Sequence, residues 1–146
     1  ILKRNWFPIL LSTVLGSTFS IIILYILGKV FALPDDIFYA TLPKSVTTAI
    51  ALDIATKFGW NEALIPMMTV STGIIGAVIA PLVAKFIKSP VAKGLAIGTS
   101  SHAVGTSKAI EMGEVEGAMS GLALSLAAIS TSFIIPILLT TIFKII

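Results

Sequence analysis

The chain has 146 residues, of which 56% are hydrophobic and only 12% charged, with a net charge of +3 and no cysteine. Soluble domains carry about a quarter charged residues, so this composition excludes an ordinary water-soluble domain. The lack of cysteine excludes a disulfide framework and a thiolate metal site, and basic residues that flank apolar runs exclude a nucleic-acid patch.

Three runs, 7–28, 63–84 and 117–143, contain no charged residue. Each exceeds the ~20 residues needed to span ~30 Å of hydrocarbon. A soluble reading would need three fully buried helices in a chain too small to cover them. The first run follows Lys3 and Arg4, as a signal peptide would. It is too long for an h-region and lacks a small-residue cleavage site, so it reads as a spanning helix.

The first predicted element is a transmembrane helix over 6–33. Trp6, Phe7, Tyr25 and Phe31 lie near its ends as interfacial aromatics, and Gly16 with Ser12, Ser17 and Ser20 forms a small-residue packing face. Pro34, Asp35 and Asp36 end it. An interrupted segment follows over 37–58. It is apolar enough to enter a membrane but carries Pro43, Lys44, Ser45, Thr47, Thr48 and Asp53, and Pro43 breaks any continuous helix. Trp60 is expected to anchor at the interface.

A second transmembrane helix is predicted over 61–86, with Pro66, Gly73, Gly76 and Pro81 inside it. Lys85, Lys88 and Lys93 follow. A second interrupted segment covers 94–113, where Gly98 and Gly105 are the expected helix breaks. Glu111, Glu114 and Glu116 mark a water-exposed stretch. The last transmembrane helix runs over 117–143, with Gly117, Ser120 and Gly121 as packing residues and Pro136 as a kink.

An offset of 58 residues superposes the interrupted segments. Thr41 meets Thr99, Val46 meets Val104, Thr48 meets Thr106, and Lys44 meets His102. Paired broken segments related in this way fit an inverted repeat of the secondary-transporter kind, with half-helix N-termini aimed at an anion. If both segments re-enter, Lys3, Arg4, Lys85, Lys88 and Lys93 share one side. If both cross, Lys29, Lys85, Lys88, Lys93 and Lys144 do. The charge bias is equal in the two cases and does not choose between them. The fold class is therefore an all-α integral membrane protein, a multi-span helical bundle with two interrupted segments that re-enter or cross. Residues 1–146 read as one transmembrane domain. The chain starts at Ile1 without methionine, so a fragment is expected and the helix count is a lower bound.

The residues that carry chemistry cluster at the two interruptions. Lys44 with Ser45, Thr47 and Thr48 suits a carboxylate or similar small anion. Ser101, His102, Gly105, Thr106 and Lys108 supply hydroxyls, a titratable imidazole and a second charge. His102 has three open roles: ligand, proton carrier, or a neutral histidine that only holds the break. One histidine without cysteine makes no ordinary zinc site. Neither a nucleophile elbow nor a Walker-type loop is present. No catalytic residue, metal or cofactor is assigned, and the chain is not read as an enzyme.

At Leu42-Pro43-Lys44-Ser45-Val46-Thr47-Thr48 and Ser101-His102-Ala103-Val104-Gly105-Thr106 the chain resembles the LrgB/CidB family of antiholin-like membrane proteins, to which a plastid glycolate/glycerate transporter is related. The likeness runs over essentially the whole chain. Ala49 departs from it, standing where proline is expected, and this implies a softer first break. The family's N-terminal helices are also absent. The resemblance implies a multi-pass protein of the bacterial cytoplasmic membrane, linked to murein hydrolase control, autolysis and programmed cell death. It also implies movement of small carboxylates such as pyruvate or glycolate. The expected partners are the lipid bilayer, a small carboxylate, a holin-like LrgA/CidA membrane protein and further copies of the chain. Two readings follow. One is a monocarboxylate transporter using the cluster above. The other is a non-transporting antiholin-like regulator that packs against its partner through the small faces around Gly16, Gly76 and Gly121.

Overall fold

The computed structural model describes residues 2–141, with side chains described from residue 6. Six helices follow in order: α1 (Leu2–Val30), α2 (Asp35–Thr41), α3 (Thr48–Phe58), α4 (Leu64–Ala84), α5 (Pro90–Met112) and α6 (Glu114–Thr141). Among the described residues three stretches are long and apolar enough to cross a membrane: Trp6–Val30, Leu64–Ala84 and Glu114–Thr141. Large apolar side chains stay exposed along them, with Phe19 at 65%, Val78 at 69% and Phe133 at 67%. In water that surface would be prohibitive, and in lipid tails it costs nothing. Residues 142 and 143 of the last expected helix lie outside the described residues. So do the charge of Lys144 and the side chains of Lys3 and Arg4.

Both interrupted segments fold back on themselves. α5 is formed from two arms, 90–101 and 103–112, with His102 between them at φ 42° and ψ −140°. In a straight helix, Ile97 and Ala109 would stand ~18 Å apart. Here they pack in one core cluster with Ala80 and Met112. Both arms also rest on the same first turns of α6: Gly94 against Glu116, Gly98 against Ser120, and Gly117 against Ile110. The other segment is α2, a turn over 42–47, and α3. Tyr39 of α2 stacks on Trp60 just beyond α3, with ring centroids 5.3 Å apart. The chain just beyond α3 therefore lies beside the end of α2.

The hairpins enter from opposite ends of the bundle. The first lies with the end of α1 and the end of α6, in a core of Ile21, Phe38, Leu42, Ile54, Ile135, Leu138 and Leu139. The second lies with the end of α4 and the start of α6. α1 followed by a hairpin, then α4 followed by an inverted hairpin, is the arrangement that the 58-residue offset predicts for re-entrant segments. Lys44 and His102, paired by that offset, both lie at hairpin tips.

The helix breaks differ in detail from expectation. Gly98 and Gly105 are helical, and the second break is at His102. A Cβ on Gly98 would lie 2.1 Å from the Ser120 carbonyl oxygen, and one on Gly105 would lie 2.4 Å from Ser101 Cβ. These glycines serve close packing, not a bend. Pro43 sits in the first break, but α3 restarts only at Thr48. Pro66 falls in the first turn of α4, where a missing N–H costs little. Glu116 is buried at 9% exposure, its carboxylate folded over Gly113, and so is not water-exposed. Trp60 is half-buried and stacks on both Tyr39 and Phe58.

Candidate functional site

The two tips meet halfway along α4. Gly73, the tenth residue of that 21-residue helix, lies against the His102 ring, where a Cβ would sit 2.6 Å from Cε1 and 2.8 Å from Nε2. Without a side chain at Gly73, the imidazole reaches the α4 backbone. His102 Nε2 lies 2.7 Å from the Thr69 carbonyl oxygen. A carbonyl only accepts, so Nε2 carries a proton in this contact. The hydroxyl of Thr69 in turn shares a 2.7 Å hydrogen bond with Thr48, the first residue of α3. One α4 residue thus holds both hairpin tips.

Beside this junction a cavity of about 400 Å³ runs between α4 and the first arm of α5. Lys44 reaches it from the first tip and Ser101 from the second, and Thr72 and Ser100 add hydroxyls. The Ser100 and Ser101 hydroxyls are 3.0 Å apart. Most of the remaining wall is aliphatic, from Ile75, Ile79, Val83 and Ile97. Among the described residues Lys44 has no ion pair or hydrogen bond through its ammonium group. An ammonium facing aliphatic walls costs several kcal/mol unless an anion or water joins it. Thr47 is the N-cap of α3 but makes no capping hydrogen bond, so donors of the first turn remain open at the tip.

The expected site residues divide into groups. Lys44 and Ser101 line the cavity. Ser45 and Thr47 are half-buried in the tip, and Thr48 is turned to Thr69. His102 is held against α4, and Gly105 supports Ser101 from within α5. Thr106 faces away, donating to the His102 carbonyl at 2.8 Å and sharing a 2.9 Å hydrogen bond with Ser120 of α6. Lys108 pairs with Glu111 at 2.5 Å, outside the cavity lining. Asp53 likewise pairs with Lys57 in an exposed bridge at 2.7 Å. Thr106 and Lys108 are thus not brought to the cavity. Sequence reasoning missed Thr72, Ser100 and Lys93, which do line it. Their hydroxyls and charge were visible, but only the hairpin fold turns them to one space.

Thr106→Val is expected to lower bundle stability by about 0.6 kcal/mol, the mean for an interhelical hydrogen bond in a membrane protein. Thermal unfolding in detergent measures this. An unchanged unfolding temperature would contradict a packing role for Thr106.

The small faces are used within the chain. Gly16 approaches Thr99, and Gly76 takes the Ser101 side chain. Gly121 alone of these three has open space in front of it.

A family model described as the LrgB-like family matches residues 1–141. The antiholin-like protein LrgB of Bacillus mycoides (strain KBAB4) is 38% identical over 137 residues, covering 92% of this chain and 60% of that protein. The antiholin-like protein LrgB of Bacillus cereus (strain B4264) matches with the same identity and coverage. The chain therefore spans 60% of the length of these relatives. No solved structure matches. The chain belongs to the LrgB-like family.

Proposed function

We propose that this chain carries the anion-binding core of a membrane transporter for small monocarboxylates of the pyruvate or glycolate kind. The observation that carries the reading is the meeting of two re-entrant tips at mid-height of α4, beside a cavity that holds the unpaired Lys44. Lys44 balances the carboxylate. Ser101, backed by the Ser100 hydroxyl, donates to its oxygens, and the uncapped start of α3 adds a favourable dipole. The aliphatic wall suits a short carbon skeleton. His102 keeps the second tip in place.

The protein resides in the bacterial cytoplasmic membrane. With both segments re-entrant, the end bearing Lys85, Lys88 and Lys93 is cytoplasmic by the positive-inside rule.

The name of the relatives, antiholin-like protein, favours a second reading, a membrane regulator; by the family resemblance it would act with a holin-like partner on murein hydrolase activity and autolysis. The readings join if metabolite flux is the signal for lysis. Co-purification of a small holin-like protein supports the second, and lysis control that persists without such a partner argues against it.

Uptake of labelled pyruvate or glycolate into proteoliposomes tests the first. A Lys44→Ala/His102→Ala double variant is expected to lose at least about tenfold in uptake, the worth of one charge-assisted hydrogen bond. Uptake at the wild-type rate in that variant would sink the site assignment.

A further inference from the structure

The cavity beside the tips is long, and Lys44 and the hydroxyls occupy only its inner end. Its α4 wall runs from Thr72 to Ala84, about 18 Å at 1.5 Å per residue. Its α5 wall runs from Ser101 out to Lys93, about 12 Å by the same rise. The polar groups are not spread evenly. Thr72, Ser100, Ser101 and Lys44 gather at the inner end. Ile79, Val83 and Ile97 fill the middle, and Lys93 stands at the outer end, beside Ile87. Lys93 is half-buried and, among the described residues, has no ion pair or hydrogen bond through its ammonium group. Its neighbours Lys85 and Lys88 are exposed and absent from the cavity lining.

We infer that Lys93 is an outer anion station of the same cavity, and that a carboxylate pauses there before it moves inward to Lys44. This rests on the transport reading above. A low-dielectric channel with one cation at its mouth concentrates anions, and a second cation deeper in draws them forward. The aliphatic stretch between the two offers no hydrogen bond, so an anion is held at either end and the middle is the barrier that separates the two stations. Two moderate sites in series allow both capture and release, where one deep site would trap. The outer station sets affinity at the mouth, and the inner one takes part in the translocating step.

The two lysines therefore separate kinetically. In proteoliposomes with labelled pyruvate, Lys93→Gln is expected to raise KM about three- to tenfold with the maximal rate kept. Wild-type KM should rise with ionic strength, and Lys93→Gln should flatten that dependence, because the screened charge is gone. Lys93→Arg should restore both, and Lys88→Gln should change neither. An unchanged KM and salt dependence in Lys93→Gln overturns the outer station. So does an equal shift in Lys88→Gln, which would mean a general surface field, or a loss of maximal rate that Lys93→Arg does not rescue. Wild-type protein that takes up no carboxylate overturns the transport reading itself and the station with it, a result distinct from any variant-specific failure.

Discussion

Gly98→Ala is expected to destabilise the bundle by about 1–3 kcal/mol, the usual cost of forcing extra volume into a tight contact. The added Cβ would lie 2.1 Å from the Ser120 carbonyl oxygen, 2.8 Å from its carbon and 2.9 Å from its Cα. All three are backbone atoms, so no side chain can turn aside and the helices must part. Parting them also pulls on the 2.9 Å Thr106–Ser120 hydrogen bond that ties the other arm of α5 to the same turn of α6. Gly121→Ala, one residue further along α6, supplies the contrast, because a Cβ there meets nothing within 4 Å. Replacing a helical glycine by alanine in open space should stabilise by up to about 1 kcal/mol. Thermal unfolding of the two variants in one detergent should therefore shift in opposite directions. Equal melting temperatures would remove the close α5–α6 contact from the account.

The same glycines show what a sequence can and cannot convey. The three spans are legible because lipid requires long charge-free runs and little else does. The paired tips are legible because proline in one, and polar residues in both, interrupt otherwise apolar segments at a constant offset. Gly98 and Gly105 mislead because lack of a Cβ reads alike whether it permits a bend or a close approach. The second break falls at His102, a residue with no preference for φ 42°. Its conformation is held by a bond to Thr69, 33 residues away in sequence. Lys93 is hidden for a related reason. Among Lys85 and Lys88 it looks like one more charge at a membrane edge, and only the first arm of the hairpin turns it to the cavity. Glu116 belongs with its acidic neighbours in sequence but is folded over Gly113 in space.

Gly73→Ala tests how the two tips are joined. Its Cβ would stand 2.6 Å and 2.8 Å from His102 Cε1 and Nε2, and 2.9 Å from Val104 Cβ. The ring would have to leave the Thr69 carbonyl, and the tip would lose the bond that orients its imidazole. Thr69 also carries Thr48 at the first tip, so the disturbance reaches Lys44 through the start of α3. Gly73→Ala should therefore cost about 1–3 kcal/mol in stability and reduce uptake, although Gly73 does not line the cavity. Removing the ring relieves the clash. The Gly73→Ala/His102→Ala pair should thus be non-additive, with the double variant more stable than the sum of the singles by at least about 0.5 kcal/mol. Additive losses would mean that Val104, not His102, meets the new methyl group. The uptake of His102→Ala alone then separates its roles. Nε2 is committed to the carbonyl, so a proton carried with the substrate has only Nδ1 to use. If His102 carries that proton, the variant loses proton-driven uptake while passive exchange of carboxylate continues. If His102 only holds the tip, both fall together, in step with the loss of stability.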